Sequence, residues 1–182
     1  EAKRIQITGV ARGRKQQKTF IFDQIFGPDS TQDQVFEDTR QLLRSVVNGR
    51  NFSIFAYGQT GSGKTFTMAG IPEHPGLTPR CIDQIFEGVD SRNTARGGVL
   101  SVRSYFLELY NDSLRDLYWS LDNAKKKQAE GPKLNIKFDR KTNDVSIEGA
   151  VIKTAESPAQ LKDLFERGNH IRRTSATTMN AE

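Results

Sequence analysis

Apolar residues alternate with polar ones at Ile5 and Ile7 and again at Phe20 and Phe22, within KRIQITGV and KTFIFDQIF. That alternation predicts two strands, and the basic stretch ARGRKQQ between them predicts a loop. The period then changes. Val35, Phe36, Leu42, Leu43, Val46 and Val47 recur at helical spacing and predict one apolar stripe. Thr31, followed three residues later by Gln34, is a capping box at the helix start. Gly49 is the expected left-handed residue just past its end. NFSIFAY is apolar on both alternating faces, Phe52, Ile54 and Ala56 against Phe55 and Tyr57, and predicts a strand buried on both sides.

The glycine-rich run that follows leads into KTFTMAG, which begins a helix, and three prolines in IPEHPGLTPR interrupt it. Thr78 as N-cap and Pro79 behind it restart a helix, with Cys81, Ile82, Ile85, Phe86 and Val89 on the inner face. GVLSVRSYFLELY predicts a well-buried strand, and SLDNAKKKQAEGP a polar surface loop whose lysines are solvated. KLNIKF and DVSIEG alternate around the polar tip DRKTN, the signature of a hairpin. Ser157, Pro158 and Gln160 open a last helix with a second capping box, whose apolar positions are Ala159, Leu161, Leu164 and Phe165. RRTSATTMNAE loses periodicity and predicts a loop. There is no internal repeat and no linker composition, so one α/β domain, or one piece of one, is the simplest organisation.

Composition narrows this only a little. The 182 residues are 35% hydrophobic and 27% charged, with a formal net charge of +5. The excess of cations favours an acidic partner; nucleic acid, anionic lipid and an acidic protein surface all satisfy it. No apolar run reaches the length of a membrane span, and no charged-then-apolar leader opens the chain. Cys81 is the only cysteine, which forbids an intrachain disulfide and fits a reducing compartment such as cytosol or nucleus.

The candidate chemistry lies in Gly58, Gln59, Thr60, Gly61, Ser62, Gly63, Lys64 and Thr65, which match the phosphate-loop pattern G-x-x-x-x-G-K-[ST]. Glycines let successive backbone N–H groups turn into one hollow, where a phosphate chain accepts them. A helix beginning near Lys64 adds its positive N-terminal end. The Lys64 ammonium is a point charge for the β- and γ-phosphates, and the Thr65 hydroxyl is placed to ligate Mg²⁺. The match sits between a predicted strand and a predicted helix, the context the pattern requires. No strand ends in the run of four apolar residues and Asp expected of a second Mg²⁺ element, since Asp112 and Asp116 follow no such run. No later loop offers a clear catalytic base. His74 and His170 lack Cys or His company at metal spacing. Trp119 either covers the core or sits half exposed.

Several stretches together resemble the kinesin motor domain, in the family's own order: FIFDQIFGPDSTQDQVFEDT, IFAYGQTGSGKTFTMAG, GLTPRCIDQIF, SYFLELYNDSLRDL and RRTSATTMN. The resemblance implies a three-layer phosphate-loop NTPase fold of the kinesin type, a central mixed sheet flanked by helices, present only in part. Residues 1–182 would lack the first strand, most of the first nucleotide-sensing switch, the second switch, the main microtubule-binding helix and the neck. It implies ATP and Mg²⁺ as cofactors at Gly58–Thr65. Phe66 occupies the position of a residue beside the adenine, with a core aromatic as its other reading. Asn180 matches the start of the first switch. The hairpin cations Lys137, Arg140 and Lys141 match an element that touches the microtubule, and a solvated hairpin tip is the other reading. PEHPGL corresponds to a loop that varies in the family and gates the nucleotide pocket, with a plain connector as its other reading. FEDT and GLTPR are most similar to the C-terminal-motor group, including members with calmodulin-type regulators that would act through regions outside this chain. The implied partner is tubulin, with no nucleic acid and no membrane span, and the implied location is the cytoplasm and its microtubule cytoskeleton.

The first functional expectation is therefore the ATP-binding part of a microtubule motor ATPase, inactive as this chain alone. The alternative is a non-catalytic, degenerate motor half that serves as a scaffold. A generic phosphate-loop kinase would need lid arginines and an acidic Mg²⁺ partner that the chain lacks. Without strands from elsewhere, NFSIFAY should expose a flank and leave an open, association-prone edge.

Overall fold

The computed structural model of the protein describes residues 3–11, 14–96, 99–124 and 131–179. Strands β1 (Lys3–Ala11) and β2 (Arg14–Phe22) form an antiparallel hairpin in which Ile5 faces Phe20 and Ala11 faces Arg14. The strands run further into ARGRKQQ than alternation predicts. Ladder bonds do not depend on side-chain polarity, and Gln17 Nε2 reinforces them by donating to Gln6 Oε1 at 3.0 Å.

Helix α1 (Gln32–Val46) starts at the expected capping box. The Thr31 hydroxyl accepts from the Gln34 N–H at 3.3 Å, and Gln34 Oε1 accepts from the Thr31 N–H at 2.9 Å. Phe36 and Leu43 are buried, whereas Leu42 stands outside the stripe. Val47 caps the helix, so Gly49, with φ +87°, lies one position beyond the place the sequence assigns it. A short helix α2 (Lys64–Met68) follows the glycine run, then the small hairpin β3 (Gly70–Ile71) and β4 (His74–Pro75).

Helix α3 (Leu77–Arg96) begins one residue before the predicted Thr78 cap. Burial explains the shift: Leu77 is drawn into a cluster with Phe36, Leu43 and Cys81, against which Phe52, Ile54 and Met68 pack. The opposite side of α3 sends Ile82 and Phe86 into a second cluster with Ala155 and Leu161. Helix α3 is thus the central element of both cores.

The buried strand predicted for GVLSVRSYFLELY is two short ones, β5 (Val102–Ser104) and β6 (Leu107–Tyr110). Its C-terminal end is exposed rather than buried, with Leu109 and Tyr110 open to solvent. The chain breaks at Tyr105 and Phe106 because Phe106 turns inward. Its ring stacks on Phe165 at 5.6 Å and meets Tyr118 edge-on at 6.3 Å, and its carbonyl accepts from the Leu117 N–H at 2.9 Å.

Strand β7 (Ser113–Asp116) pairs back on β6, and helix α4 (Leu117–Asp122) follows directly, placing Leu117 and Tyr118 among the most buried side chains. The predicted surface loop therefore begins later than expected, and its lysines, within 125–130, lie outside the described residues. Asp116 is structural: one carboxylate oxygen accepts from the Trp119 N–H at 2.9 Å, the other from the Val151 N–H at 2.6 Å. Trp119 is half-buried.

The hairpin predicted around DRKTN is present as β8 (Asn135–Asp139) and β9 (Asp144–Glu148), and β10 (Lys153–Ala155) pairs with β5. Helix α5 (Pro158–Met179) opens at Ser157, whose hydroxyl accepts from the Gln160 N–H at 3.2 Å. The Gln160 side chain reaches the Glu156 N–H, one residue outside the expected box. Leu161 and Leu164 are buried and Ala159 is exposed. The loop predicted for RRTSATTMNAE is instead helix as far as Met179, because no glycine or proline stops it.

The largest correction concerns NFSIFAY. Among the described residues it pairs with no strand, and it is not buried on both sides. Phe52 and Ile54 pack on the first core, whereas Phe55 and Tyr57 are 89% and 102% exposed. The expected open flank is therefore present. Among the described residues, no helix is long and apolar enough to cross a membrane.

Candidate functional site

The glycine loop leaves the end of the Phe52–Tyr57 segment and enters α2. Gly61 and Gly63 have φ +80° and +87°, a region that strains any side chain-bearing residue. A Cβ built at either position meets nothing within 4 Å, so open space lies beside both glycines. The Ser62 N–H closes a turn on Gln59 O at 3.2 Å. Lys64 Nζ lies back over the loop and donates to Gly58 O at 2.8 Å and Gln59 O at 2.7 Å. Thr60 and Thr65 are exposed, Thr65 on the first turn of α2.

This arrangement fits a polyphosphate with a divalent cation. It offers a glycine loop open to solvent at Gly61 and Gly63, an ammonium already folded onto that loop, and an exposed threonine next to it in sequence. A phosphate bound here would offer Lys64 oxygens in place of its two carbonyl acceptors, and a charge-assisted bond to phosphate is the stronger kind. Helix α2 has only 5 residues. The dipole assigned to it from sequence is accordingly small, which leaves the loop amides and Lys64 as the main groups available to an anion.

Phe66, on the first turn of α2, is 48% exposed, so the residues of this chain do not bury it. Its carbonyl accepts from Gln32 Nε2 at 2.7 Å, a contact that nothing in the local sequence pattern signals. Asn180 lies outside the described residues. Asp112, with φ +59°, belongs to the turn between β6 and β7.

The hairpin cations are separate from the loop and unequal. Lys137 Nζ is held by Glu148 at 2.7 Å across the ladder. Arg140 and Lys141 are exposed at the tip, where Asp139 Oδ1 accepts from the Lys141 N–H at 2.8 Å. A cleft of about 480 Å³ lies elsewhere, between the β3–β4 turn, α3 and α5, lined by Ile71, Pro75, Arg80, Lys162 and Phe165 among others. The PEHPGL segment forms part of its wall. The phosphate-loop residues do not line it.

Comparison with known proteins covers almost all of the chain. The kinesin motor domain family model matches residues 2–182. Kinesin-like protein KIN-14I of Oryza sativa subsp. japonica is 41% identical over 165 residues, covering 91% of this chain and 12% of that protein. Protein claret segregational of Drosophila melanogaster is 36% identical over 174 residues, covering 96% of this chain and 24% of that protein. Among solved structures, the motor domain of kinesin-like protein KAR3 from Saccharomyces cerevisiae superposes with a TM-score of 0.76 at 32% identity, covering 94% of this chain and 48% of that one. The chain thus spans about half of the solved motor domains it matches and a smaller share of its full-length relatives.

Proposed function

Because the chain belongs to the kinesin motor-domain family, we propose that it supplies the ATP-binding part of a microtubule-dependent motor ATPase. Gly58–Thr65 seat the triphosphate of Mg²⁺-ATP, Lys64 neutralises it, the Thr65 hydroxyl ligates the metal, and Phe66 offers a ring face beside the base. Bound Mg²⁺-ATP supplies the γ-phosphate and the metal charge to which a nucleotide-sensing segment responds. The observation that carries this reading is the left-handed backbone at Gly61 and Gly63, open to solvent, with the Lys64 ammonium folded onto the same loop.

Hydrolysis is assigned to the longer protein, since no catalytic base is read within these residues. The partner is tubulin, met through the exposed tip cations Arg140 and Lys141, with Lys137 already engaged by Glu148. Such rim charges act mainly on association rate and salt dependence. The proposed location is the cytoplasmic microtubule cytoskeleton. The kinesin relatives lend no support to a calmodulin-type regulator.

A polypeptide that continues this chain to the full length of the solved motor domains tests the proposal. Its ATP hydrolysis should accelerate on microtubules, and Arg140→Ala with Lys141→Ala should weaken that stimulation most at low salt. Absence of any microtubule stimulation refutes the motor reading and favours a non-catalytic scaffold.

A further inference from the structure

The first turn of α1 is fastened to the phosphate-loop helix from outside the phosphate-loop motif. Gln32, the first residue of α1, is only 9% exposed, although glutamine is ordinarily a surface residue. Its Nε2 donates to the Phe66 carbonyl at 2.7 Å, across 34 residues of sequence. That carbonyl needs a donor from elsewhere. Helix α2 ends at Met68, and its closing backbone bond runs from the Ala69 N–H to Thr65 O at 2.8 Å. Beyond it the chain turns away at Gly70 into β3, leaving Phe66 O as an orphan acceptor of the helix end.

The geometry on the α1 side is fixed in advance. The Thr31–Gln34 capping box sets the backbone at Gln32. The neighbouring Asp33 pairs with Arg80 of α3, whose Nε donates to Pro75 O at 2.8 Å. One turn of α1 therefore reaches both the phosphate-loop helix and the start of α3.

We propose that Gln32 is a positioning residue for the phosphate-loop helix: its side-chain amide holds the Phe66 carbonyl and thereby sets where Lys64, Thr65 and Phe66 stand relative to α1. Its consequence for ligand binding rests on the nucleotide reading above; the positioning itself does not. A short helix has little intrinsic stability, so one external hydrogen bond governs how often its turn opens. The amide can be changed without changing the shape: Gln32→Glu keeps the volume and, ionised, has no donor, while Gln32→Leu removes hydrogen bonding altogether.

The test is backbone hydrogen exchange on the 182-residue chain without nucleotide, comparing these two variants with the unsubstituted chain. The Thr67 and Ala69 amides should exchange about tenfold faster in both variants, while the Leu161 amide of α5 keeps its protection. In the unsubstituted chain, a through-bond coupling should link Gln32 Nε2 to the Phe66 carbonyl carbon. Unchanged Thr67 and Ala69 protection in Gln32→Glu overturns the proposal, as does an equal loss of protection at Leu161, which would make Gln32 a packing residue. Should Gln32→Leu fail to fold, the isosteric variant and the coupling still decide. Mg²⁺-ATP titration of the same samples separates the two claims: an unsubstituted chain that binds no nucleotide refutes the nucleotide reading and leaves the exchange result standing.

Discussion

The exposed flank at Phe55 and Tyr57 leads to a prediction about association. The chain presents 14324 Å² to solvent. A folded monomer of its mass exposes about 8,900 Å², so the excess is roughly 5,500 Å². An ordinary protein–protein interface covers about 800 Å² on each partner. The excess is therefore several interfaces' worth, the scale of a domain core cut open. Phe55 and Tyr57, at 89% and 102% exposure, lie on a segment with no regular structure and no strand partner among the described residues. Such an edge recruits other chains. Replacing both residues with lysine removes two aromatic side chains that contribute little packing within the chain. Folding stability should change by less than about 0.5 kcal/mol. Self-association should weaken by about 3 kcal/mol, roughly a hundredfold, because each aromatic buried in a contact is worth about 1.5 kcal/mol or more. Sedimentation velocity over a dilution series reads the association, and urea melts in dilute solution read the stability. An unsubstituted chain that stays monomeric and melts in a sharp, reversible transition would refute this prediction. A lysine variant that associates as strongly as the original would refute it equally.

Two further predictions probe the cores. In α5, a Cβ at Gly168 would clash with the Phe106 ring, which is held between Phe165 and Tyr118; Gly168→Ala should cost about 3 kcal/mol in overpacking against about 1 kcal/mol of helix propensity gained, a net loss visible as a lower urea midpoint in dilute solution. Burial pushes the Cys81 thiol from 9.0 up to about 11, so the folded chain keeps a proton that the unfolded chain releases; stability should fall as pH rises from 9 towards 11, and thiol labelling at pH 8 should be slow until urea is added, whereas rapid labelling of the folded chain would contradict the burial.

Local signals are readable where the partner groups are close in sequence. The Thr31–Gln34 box, the Ser157 cap and the hairpin around DRKTN each depend on residues a few positions apart, and each is present. The phosphate-loop motif is legible for the same reason, since its turns come from its own glycines. What escapes depends on distant contacts. NFSIFAY carries the pattern of a strand covered on both faces, but the residues of this chain cover only Phe52 and Ile54. The break at Phe106 follows from a ring slot built by Phe165 and Tyr118, which no local pattern announces. The helical continuation through RRTSATTM is hidden by its serines and threonines, whose composition mimics a loop. Gln32 looks like an ordinary polar residue at a helix start because its acceptor, Phe66 O, lies 34 residues away.

The central claim is that the loop amides and Lys64 together receive a triphosphate. Isothermal titration of the chain with Mg²⁺-ATP, beside Lys64→Ala, tests it most directly. The account predicts binding in the micromolar range, about −8 kcal/mol, that is abolished in Lys64→Ala. No binding heat from the unsubstituted chain, or equal affinity in the variant, would contradict it.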